Sequence, residues 1–388
     1  MQKKLLAAAV AGALALPGLA MAQSAVTISG VFKVGIDNYR ISDASALRGN
    51  TSETRITDNS SRLIFGITED IGGGLSGIAQ LDMRPQLDTA TAGSVDGGNS
   101  WVGVRSTSWG TVTLGRHDLH YGKQPDEIAA KAGALMAASI SLMDFMQVGG
   151  GTTGVAASNA AIARATRTNN VLRYDSPNWS GFAFTAAYSA NPGGLEADLG
   201  PAAGPANTLR KGNAWNFNPS YTTSNWQIGW SHWDQKADAG GATANQKSDV
   251  LYGYALFGGF KVGLAMNKST TDSDTAAAGT VRAGDRTAWT IPVRWSAGPH
   301  NVYFHYTKAG SNKAGGAPSD TGARMWAAAY VYDLSKRTSV GLTIADLRND
   351  TNASYNFFTN TGTLGSTNSA LTAGEDGRLY ALTVRHAF

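Results

Sequence analysis

The sequence has 388 residues, no cysteine, 47 glycines and a formal net charge of +4. The lack of cysteine excludes disulfide bonds, thiolate catalysis and Cys-ligated metal, and the small charge excludes a nucleic-acid-scale basic surface. Beyond the first residues there is no apolar run of about 18 residues, which excludes a transmembrane helix. Apolar spacings of three and four are nearly absent, so the chain is predicted to be all-β.

The first 22 residues have the composition of a secretory signal peptide. Lys3 and Lys4 precede an apolar run over residues 5–16, and Ala20-Met21-Ala22 forms a small-x-small cleavage site. Removing residues 1–22 leaves 30 basic and 28 acidic side chains, a net charge of +2. We therefore expect an exported chain whose residues 23–388 form a single domain.

Alternating apolar and polar residues predict β-strands along the rest of the chain. In the first strand, Val26, Ile28 and Phe32 share one face, and Thr27 and Ser29 share the other. The sixteen predicted strands cover residues 25–37, 62–70, 75–86, 99–107, 111–116, 169–176, 181–189, 213–222, 226–235, 248–257, 260–268, 287–296, 300–309, 323–333, 337–347 and 377–388. The Ser/Thr/Asn-rich residues 38–60 are predicted to be a loop.

The connections between these strands are alternately short and long, seven short and eight long. This pattern and the even strand number are typical of a transmembrane β-barrel, which leaves no unpaired strand edge in lipid. Aromatic residues near strand ends suit the headgroup layer, namely Trp101, Trp179, Tyr188, Trp226, Trp230, Trp289, Trp295, Trp326, Tyr330, Tyr332 and Tyr380. A soluble β-sandwich, in which these aromatics would form the core, is the alternative.

The longest connection covers residues 118–168 and is rich in Ala, Gly, Ser and Met. A loop of this length within a compact domain is usually functional or disordered. We expect it to fold into the barrel and narrow the lumen.

Several segments resemble the general porins of Gram-negative outer membranes, particularly those of β-proteobacteria. They are Ser61-Arg62-Leu63, Thr68-Glu69-Asp70-Ile71-Gly72-Gly73-Gly74-Leu75, Gly110-Thr111-Val112-Thr113-Leu114-Gly115-Arg116, the run from Arg167 to Pro177, the run from Tyr332 to Thr338, and Arg385-His386-Ala387-Phe388. The resemblance implies a homotrimer of 16-stranded antiparallel transmembrane barrels, each with an inward-folded third external loop. It also implies that Phe388 belongs to the C-terminal strand that the outer-membrane assembly machinery recognises.

The resemblance further implies a ladder of basic residues on the barrel wall facing acidic groups on the loop. Arg62 occupies a ladder position, Arg173 has the inward parity for another, and Asp82 matches an acidic position on the third strand. Where relatives often carry an arginine, this chain has Gly97-Gly98-Asn99-Ser100, so Lys33 or Arg84 could supply the missing charge.

The loop also lacks the Pro-Glu-Phe-Gly-Gly segment of its relatives. The nearest equivalent runs from Met143 to Gly150 and makes Asp144 the leading acidic candidate, followed by Asp118, Asp126 and Glu127. Since residues 135–146 are rich in Met and Ala, we expect a less polar constriction than in the relatives.

The predicted function is passive diffusion of small hydrophilic solutes and ions, with a weak preference for anions. The alternatives are an adhesin or receptor acting through loops such as residues 348–376, and an outer-membrane enzyme. His117-Asp118-x-His120 is weak as a metal site, and no nucleophile motif is present. We expect no enzymatic activity, cofactor, metal or nucleic-acid partner; the expected partners are outer-membrane lipid, the assembly machinery and further copies of the chain.

Overall fold

The computed structural model describes residues 24–42, 49–88, 97–121, 140–143, 167–192, 211–239, 242–275, 279–357 and 371–388. Among these described residues, a short helix, α1 (Ile140–Met143), accompanies the strands. The strands are β1 (Ala25–Ser42), β2 (Thr51–Asp58), β3 (Arg62–Gly72), β4 (Leu75–Met83), β5 (Trp101–Ser106), β6 (Gly110–Asp118), β7 (Arg167–Asp175), β8 (Phe182–Ser189), β9 (Lys211–Thr222), β10 (Trp226–Ala239), β11 (Ala242–Phe257), β12 (Phe260–Thr275), β13 (Gly279–Ala297), β14 (His300–Ala309), β15 (Ala323–Asp333), β16 (Thr338–Asn349) and β17 (Asp376–Ala387). None of the helical residues described forms a segment long and apolar enough to cross a bilayer.

The strands form one closed antiparallel barrel. Consecutive strands pair with each other, and β17 closes the ring by pairing with β1 from Val31↔Ala387 to Ser42↔Asp376. The other edge of β1 pairs with both β2 and β3, which are therefore two segments of a single barrel strand. The barrel thus has sixteen strands, which confirms the predicted fold class.

A one-residue bulge separates β2 from β3. Val34 pairs with Asp58 and Val31 with Arg62, so three residues on one strand oppose two on the other. Ser60, within the bulge, has a φ of 68°. The bulge changes which residues face outward. Before it the exposed side chain is the even-numbered Ile56, and after it the exposed side chain is the odd-numbered Ile67. Arg62 consequently faces the lumen.

Outside and inside alternate along each strand. In β17 the exposed Tyr380, Leu382 and Val384 alternate with the buried Ala381 and Thr383. A lipid-facing apolar surface and a polar lumen are the pattern of membrane barrels. Trp101 departs from the predicted belt: its ring stacks on the buried His117 with centroids 5.9 Å apart, so it lies on the inner face.

The prediction that residues 38–60 form a loop is wrong. β1 continues to Ser42, and Thr51–Asp58 forms β2. Strands around residues 236–247 and 269–286 also extend beyond their predicted ends. These strands have 14 to 19 residues, whereas about 9–11 cross a bilayer. The parts of these strands that extend beyond the bilayer are polar. They are held by backbone hydrogen bonds between strands, and neither face of the sheet contacts lipid there.

Candidate functional site

The inner wall of the barrel is lined by polar side chains. Those that are almost completely buried include Asp37, Asp82, Thr113, Asn216, Ser231, Ser248, Ser269, Thr290, Thr307 and Thr343. Buried polar groups require hydrogen-bond partners, and these side chains provide attachment points for chain segments that enter the barrel.

Three arginines and two aspartates form what we call the arginine cluster: Arg62, Arg84, Arg167, Asp82 and Asp118. Arg84 Nη2 donates to Asp82 Oδ2 at 2.6 Å, and Arg84 Nη1 donates to Ser60 Oγ at 3.2 Å. The charges of Arg84, Asp82 and Asp118 all act on Arg62. The cluster has a net charge of +1, and it brings the predicted Arg62, Arg84, Asp82 and Asp118 together.

Asp118 and Arg167 lie at the two ends of the long connection. They face each other across β6 and β7, with 3.7 Å between Arg167 Nε and Asp118 Oδ1. Asn99 Nδ2 donates to Asp118 Oδ2 at 2.8 Å, and Arg167 Nη1 donates to the Gly97 carbonyl at 2.6 Å. The connection therefore begins and ends within the arginine cluster.

Gly98 allows the backbone to approach the buried Asp82 carboxylate. Its N–H donates to the Asp82 carbonyl at 3.0 Å, and the Asn99 N–H donates to Asp82 Oδ2 at 3.3 Å. A Cβ at position 98 would lie 2.0 Å from Asp82 Cγ. The backbone of Gly98 and Asn99 therefore holds an acidic residue in place.

Lys33 lies beside the cluster. Its N–H donates to Ser61 Oγ at 3.0 Å, and its carbonyl accepts from Asn59 N at 2.8 Å. The side chain has the inward parity of Asp37 on the same strand, and β1 pairs with Arg62 two residues earlier, at Val31.

Arg173 lies apart from the cluster. Its Nε is 2.7 Å from Asp175 Oδ2, and its Nη1 is 3.4 Å from His117 Nδ1. Six residues separate it from Arg167 on β7, about 20 Å along a strand. The predicted basic wall is therefore divided between two levels of the barrel.

The long connection has a first anchor on the opposite wall. His120 is fully buried, and its ring nitrogens lie 2.9 Å from Ser231 Oγ and 2.8 Å from Ser248 Oγ. Tyr121 OH lies 2.7 Å from Ser248 Oγ and 3.1 Å from Ser269 Oγ. These serines belong to β10, β11 and β12, so the chain reaches four to six strands around the ring from β6.

The environment of His120 keeps its imidazole neutral. Burial, and secondarily the charge of His232, lower the pKa of His120 to about 3. A neutral ring has one donor and one acceptor nitrogen, which two serine hydroxyls satisfy. His117 has a different partner, since its Nε2 is 3.1 Å from Thr113 Oγ1. The described part of the chain contains no group of three residues able to hold a metal.

The second anchor is α1. Leu142 and Met143 are fully buried, and Arg286 Nη2 donates to the Met143 carbonyl at 3.0 Å. Arg286 is itself 1% exposed and donates from Nη1 to Tyr355 OH at 2.9 Å. An arginine of β13 thus joins the long connection to the chain that follows β16.

That later segment also packs inside. Ala353 and Tyr355 are completely buried, Phe357 is nearly so, and the ring centroids of Phe357 and Tyr39 are 6.1 Å apart. The described portions of residues 348–376 are thus directed partly inward. Along β10 to β17 the lumen is occupied by packed side chains, whereas the arginine cluster lies on the other side.

Three predicted site residues lie outside the described part of the chain: Asp126, Glu127 and Asp144. The predicted signal peptide, residues 1–22, also lies outside it. Phe388 is described, and it exchanges two backbone hydrogen bonds of 3.1 Å with Gly30 where the barrel closes. Its ring contacts Phe32 at a centroid distance of 5.1 Å.

Sequence reasoning missed Arg167, His120 and Arg286 as lumen residues. Arg167 begins one of the porin-like segments and lies just before the strand predicted at residues 169–176. Arg286 lies just before the strand predicted at residues 287–296. His120 follows the end of β6, where no strand periodicity indicates direction. For Arg286, a longer strand with the same alternation would have given the orientation, whereas the register shift between β6 and β7 breaks the alternation before Arg167.

Comparison with known proteins gives a consistent result. A family model described as Gram-negative porin matches residues 7–352. An outer membrane porin protein of Bordetella pertussis is 27% identical over 381 residues, covering 88% of this chain and 92% of its own. The major outer membrane protein P.IB of Neisseria lactamica is 26% identical, covering 87% and 91%.

Solved structures share the fold. An anion-selective porin from Comamonas acidovorans superposes with a TM-score of 0.69 at 19% identity, covering 94% of this chain and all of its own. OmpF of Salmonella typhi gives a TM-score of 0.55 at 12% identity, covering 93% and 97%.

Proposed function

The chain belongs to the Gram-negative porin family and forms an outer-membrane channel, and from this premise we propose where the channel narrows. The constriction lies between the arginine cluster on one wall and the long connection, residues 118–168, anchored on the other. Small hydrophilic solutes and ions pass through it by diffusion.

The contacts of His120 with β10 and β11 carry this proposal. A chain that leaves β6 and is held by inward-facing serines must cross part of the lumen. The second attachment at Arg286 keeps it against the far wall. The open cross-section then lies beside Arg62 and Arg84, whose fixed charges act on passing ions.

We propose a weak anion preference for this constriction. The net charge of +1 in the arginine cluster favours anions locally, and Lys33 adds a further cation beside it. The Comamonas acidovorans porin with the same fold is described as anion-selective. Asp118 is already counted in the arginine cluster, and the other acidic residues of the connection, Asp126, Glu127 and Asp144, would oppose this preference.

We also propose that three copies assemble and that the C-terminal strand with Phe388 is read by the outer-membrane assembly machinery. The family relationship supports an oligomer, and a trimer form of OmpT from Vibrio cholerae has the same fold. Conductance steps in groups of three in planar bilayers are the expected result.

The absence of cysteine provides a direct test of the constriction. Ser60→Cys introduces one thiol beside Arg84, and Ser335→Cys introduces one in an exposed short turn. A bulky charged thiosulfonate should reduce the current through the first variant severalfold and leave the second nearly unchanged. Equal currents after complete modification of both variants would place the narrow point elsewhere.

A further inference from the structure

Strand β5 presents an aromatic ring and a cation to the lumen, with open space between them. Val102 and Val104 have the lipid-facing parity of this strand, and Val102 is 59% exposed. Trp101, Gly103 and Arg105 therefore face inward, because alternate residues of a strand lie on opposite faces. We call these three residues the β5 row. None of them belongs to the arginine cluster.

The Trp101 indole lies flat over a buried histidine. Its ring centroid is 5.9 Å from that of His117, and the two ring planes differ by 15°. His117 is 2% exposed, whereas Trp101 is partly exposed, so the indole covers the imidazole and turns its other face to the lumen. In the part of the chain that the structure describes, no second aromatic ring packs on that face. A large aromatic surface is thus left in contact with water inside a polar lumen.

Hydrogen bonds beneath the indole hold this surface in place. His117 Nε2 is 3.1 Å from Thr113 Oγ1, and its Nδ1 is 3.4 Å from Arg173 Nη1. Since arginine only donates, Nδ1 accepts and Nε2 carries the proton. Arg173 Nη2 in turn donates to Asp175 Oδ1 at 2.9 Å. A ring supported in one orientation is pre-organised, which lowers the entropy cost of stacking a ligand on it.

The inner wall beside the indole is open because two neighbouring positions are glycines. Gly115 lies directly opposite Trp101 on β6, and Gly103 is the next inward residue of β5. A Cβ at position 115 would lie 2.9 Å from Trp101 Cβ, so the indole depends on this close approach. A planar group can therefore lie against the indole and extend along β5 toward its periplasmic end.

Arg105 supplies positive charge at the far end of the β5 row. It lies about 13 Å from Trp101 along the strand, and its side chain is exposed. None of the carboxylates in the described ranges forms an ion pair with it. Ser76 and Thr111 lie opposite it on the two adjacent strands and add hydroxyl groups. The guanidinium is thus available to an anion, and its paired donors match a carboxylate.

We propose that the β5 row binds a small planar organic anion, an aromatic carboxylate, as it passes through the lumen. The ring stacks on the exposed face of Trp101, and the carboxylate lies over Gly103 and is bound by Arg105. Offset stacking and paired guanidinium–carboxylate hydrogen bonds are each favourable, so the row selects solutes that have both groups. The inference rests on the open lumen proposed beside the arginine cluster, but the site lies between that cluster and the short turn at residues 107–109.

Channel recording with three probes of similar size tests this chemistry. Purified protein in planar bilayers is exposed to benzoate, cyclohexanecarboxylate or benzamide in potassium chloride. Benzoate should reduce the current in a saturable manner. The other two should need severalfold higher concentrations, because one lacks the planar ring and the other lacks the charge. Equal effects of benzoate and cyclohexanecarboxylate would overturn the stacking, and equal effects of benzoate and benzamide would overturn the contact with Arg105.

Substitutions in the β5 row identify the site. Trp101→Leu should raise the half-saturating benzoate concentration about fivefold, the factor expected for loss of one stacked aromatic pair, and Arg105→Gln should raise it at least as much. Trp101→Phe keeps a ring and should retain most of the binding. Arg105→Lys keeps the charge without the paired donors and should have an intermediate affinity.

Trp109→Leu is the matched control, since Trp109 is 42% exposed in a short turn outside the β5 row. Unchanged benzoate affinity in Trp101→Leu, or an equal loss in Trp109→Leu, contradicts the assignment. A saturable effect of glucose as strong as that of benzoate would make the indole a sugar platform and overturn the proposal.

Calorimetric titration of the purified protein with benzoate separates this site from the constriction, because it reports binding without current. Wild-type protein that binds benzoate, with no block of Ser60→Cys by the thiosulfonate, would refute the constriction and leave the β5 row. Wild-type protein that binds no benzoate, with Ser60→Cys fully blocked, would refute the β5 row and leave the constriction.

Discussion

At the scale of single residues, the lumen is defined by which charges are satisfied and which remain able to act on solutes. Arg84 and Arg173 are each paired with an aspartate within two residues of their own position. Arg62 is surrounded by one arginine and two aspartates of the arginine cluster. Its charge is therefore the most informative one to reverse.

Arg62→Glu should shift the reversal potential in a salt gradient toward cations. A unit charge ~8 Å from an ion contributes about 2 kcal/mol at an effective dielectric of ~20, and salt screens part of it. We expect the anion-to-cation permeability ratio to fall severalfold. Arg337→Glu, at an exposed turn, should leave it unchanged, and equal shifts in both variants would remove Arg62 from the constriction.

His120 should make the first anchor sensitive to acid. Its pKa is about 3 when buried and about 6.5 when released, so the released state binds more protons between these values. The contribution of His120 to the stability of the anchored connection is therefore complete above pH ~6.5. It falls by roughly 1.4 kcal/mol per pH unit as the pH decreases toward 3.

Current fluctuations at pH 7 and pH 4.5 provide the measurement. The wild-type channel should become noisier at the lower pH as the connection detaches. His120→Gln keeps an amide that can bond the serines but does not titrate, so its response should be smaller. An identical acid response in both channels would exclude His120 as its source.

At the scale of elements, the backbone at Gly98 lies close against Asp82 and so helps to hold the arginine cluster in place. Gly98→Ala would place a methyl group in the position of the Asp82 carboxylate. Overpacking of this kind costs roughly 1–3 kcal/mol, and moving Asp82 disturbs its pairing with Arg84. We expect a lower unfolding temperature and altered conductance.

Gly315→Ala is a suitable comparison for Gly98→Ala. An added Cβ there meets nothing within 4 Å, so its unfolding temperature and conductance should match the wild type. Equal unfolding temperatures and conductances of the two alanine variants would show that the close approach of Gly98 to Asp82 does not control the stability or the conductance of the channel.

Arg286→Leu should release the second anchor of the long connection. It removes the donors to the Met143 carbonyl and Tyr355 hydroxyl, and each buried group left unsatisfied costs about 1–3 kcal/mol. Single-channel recording should show larger and more variable conductance. Arg294→Leu, on the same strand and with the same inward parity, is the control, and equally disturbed channels would contradict the role of α1.

The sequence predicted most elements because lipid requires alternation wherever a strand crosses the membrane. It failed over residues 38–60 because Ile56 is the only large apolar side chain in the segment that became β2. It also gave no sign of the bulge at residues 59–61, which arises from pairing with β1. The anchors of the long connection depend on side chains more than 100 positions apart, such as His120 and Ser231, and local pattern cannot reveal them.

At the scale of the whole molecule, barrel closure joins the two ends of the chain. Phe388 pairs with Gly30 and contacts Phe32, although the same seam has twelve further residue pairs between β17 and β1. Closure in vitro therefore does not depend on this residue alone.

Phe388→Ala should separate folding from cellular assembly. Refolded protein should still form channels with a modestly lower unfolding temperature, while the amount found in outer-membrane fractions of cells should fall severalfold. His386→Ala, outward-facing on the same strand, should assemble normally. Wild-type amounts of Phe388→Ala in the membrane would show that the assembly machinery does not use this residue.

The long connection also has a mechanical consequence. A water-filled ring of sixteen strands resists sideways compression only through the stiffness of its sheet and the contacts inside it. Hydrogen bonds from His120 to Ser231 and Ser248, and from Arg286 to Met143, tie β6 to the wall formed by β10, β11 and β13. The connection therefore acts as a cross-brace, and lateral pressure that would flatten the ring into an ellipse is carried partly by the segment that we propose as the constriction.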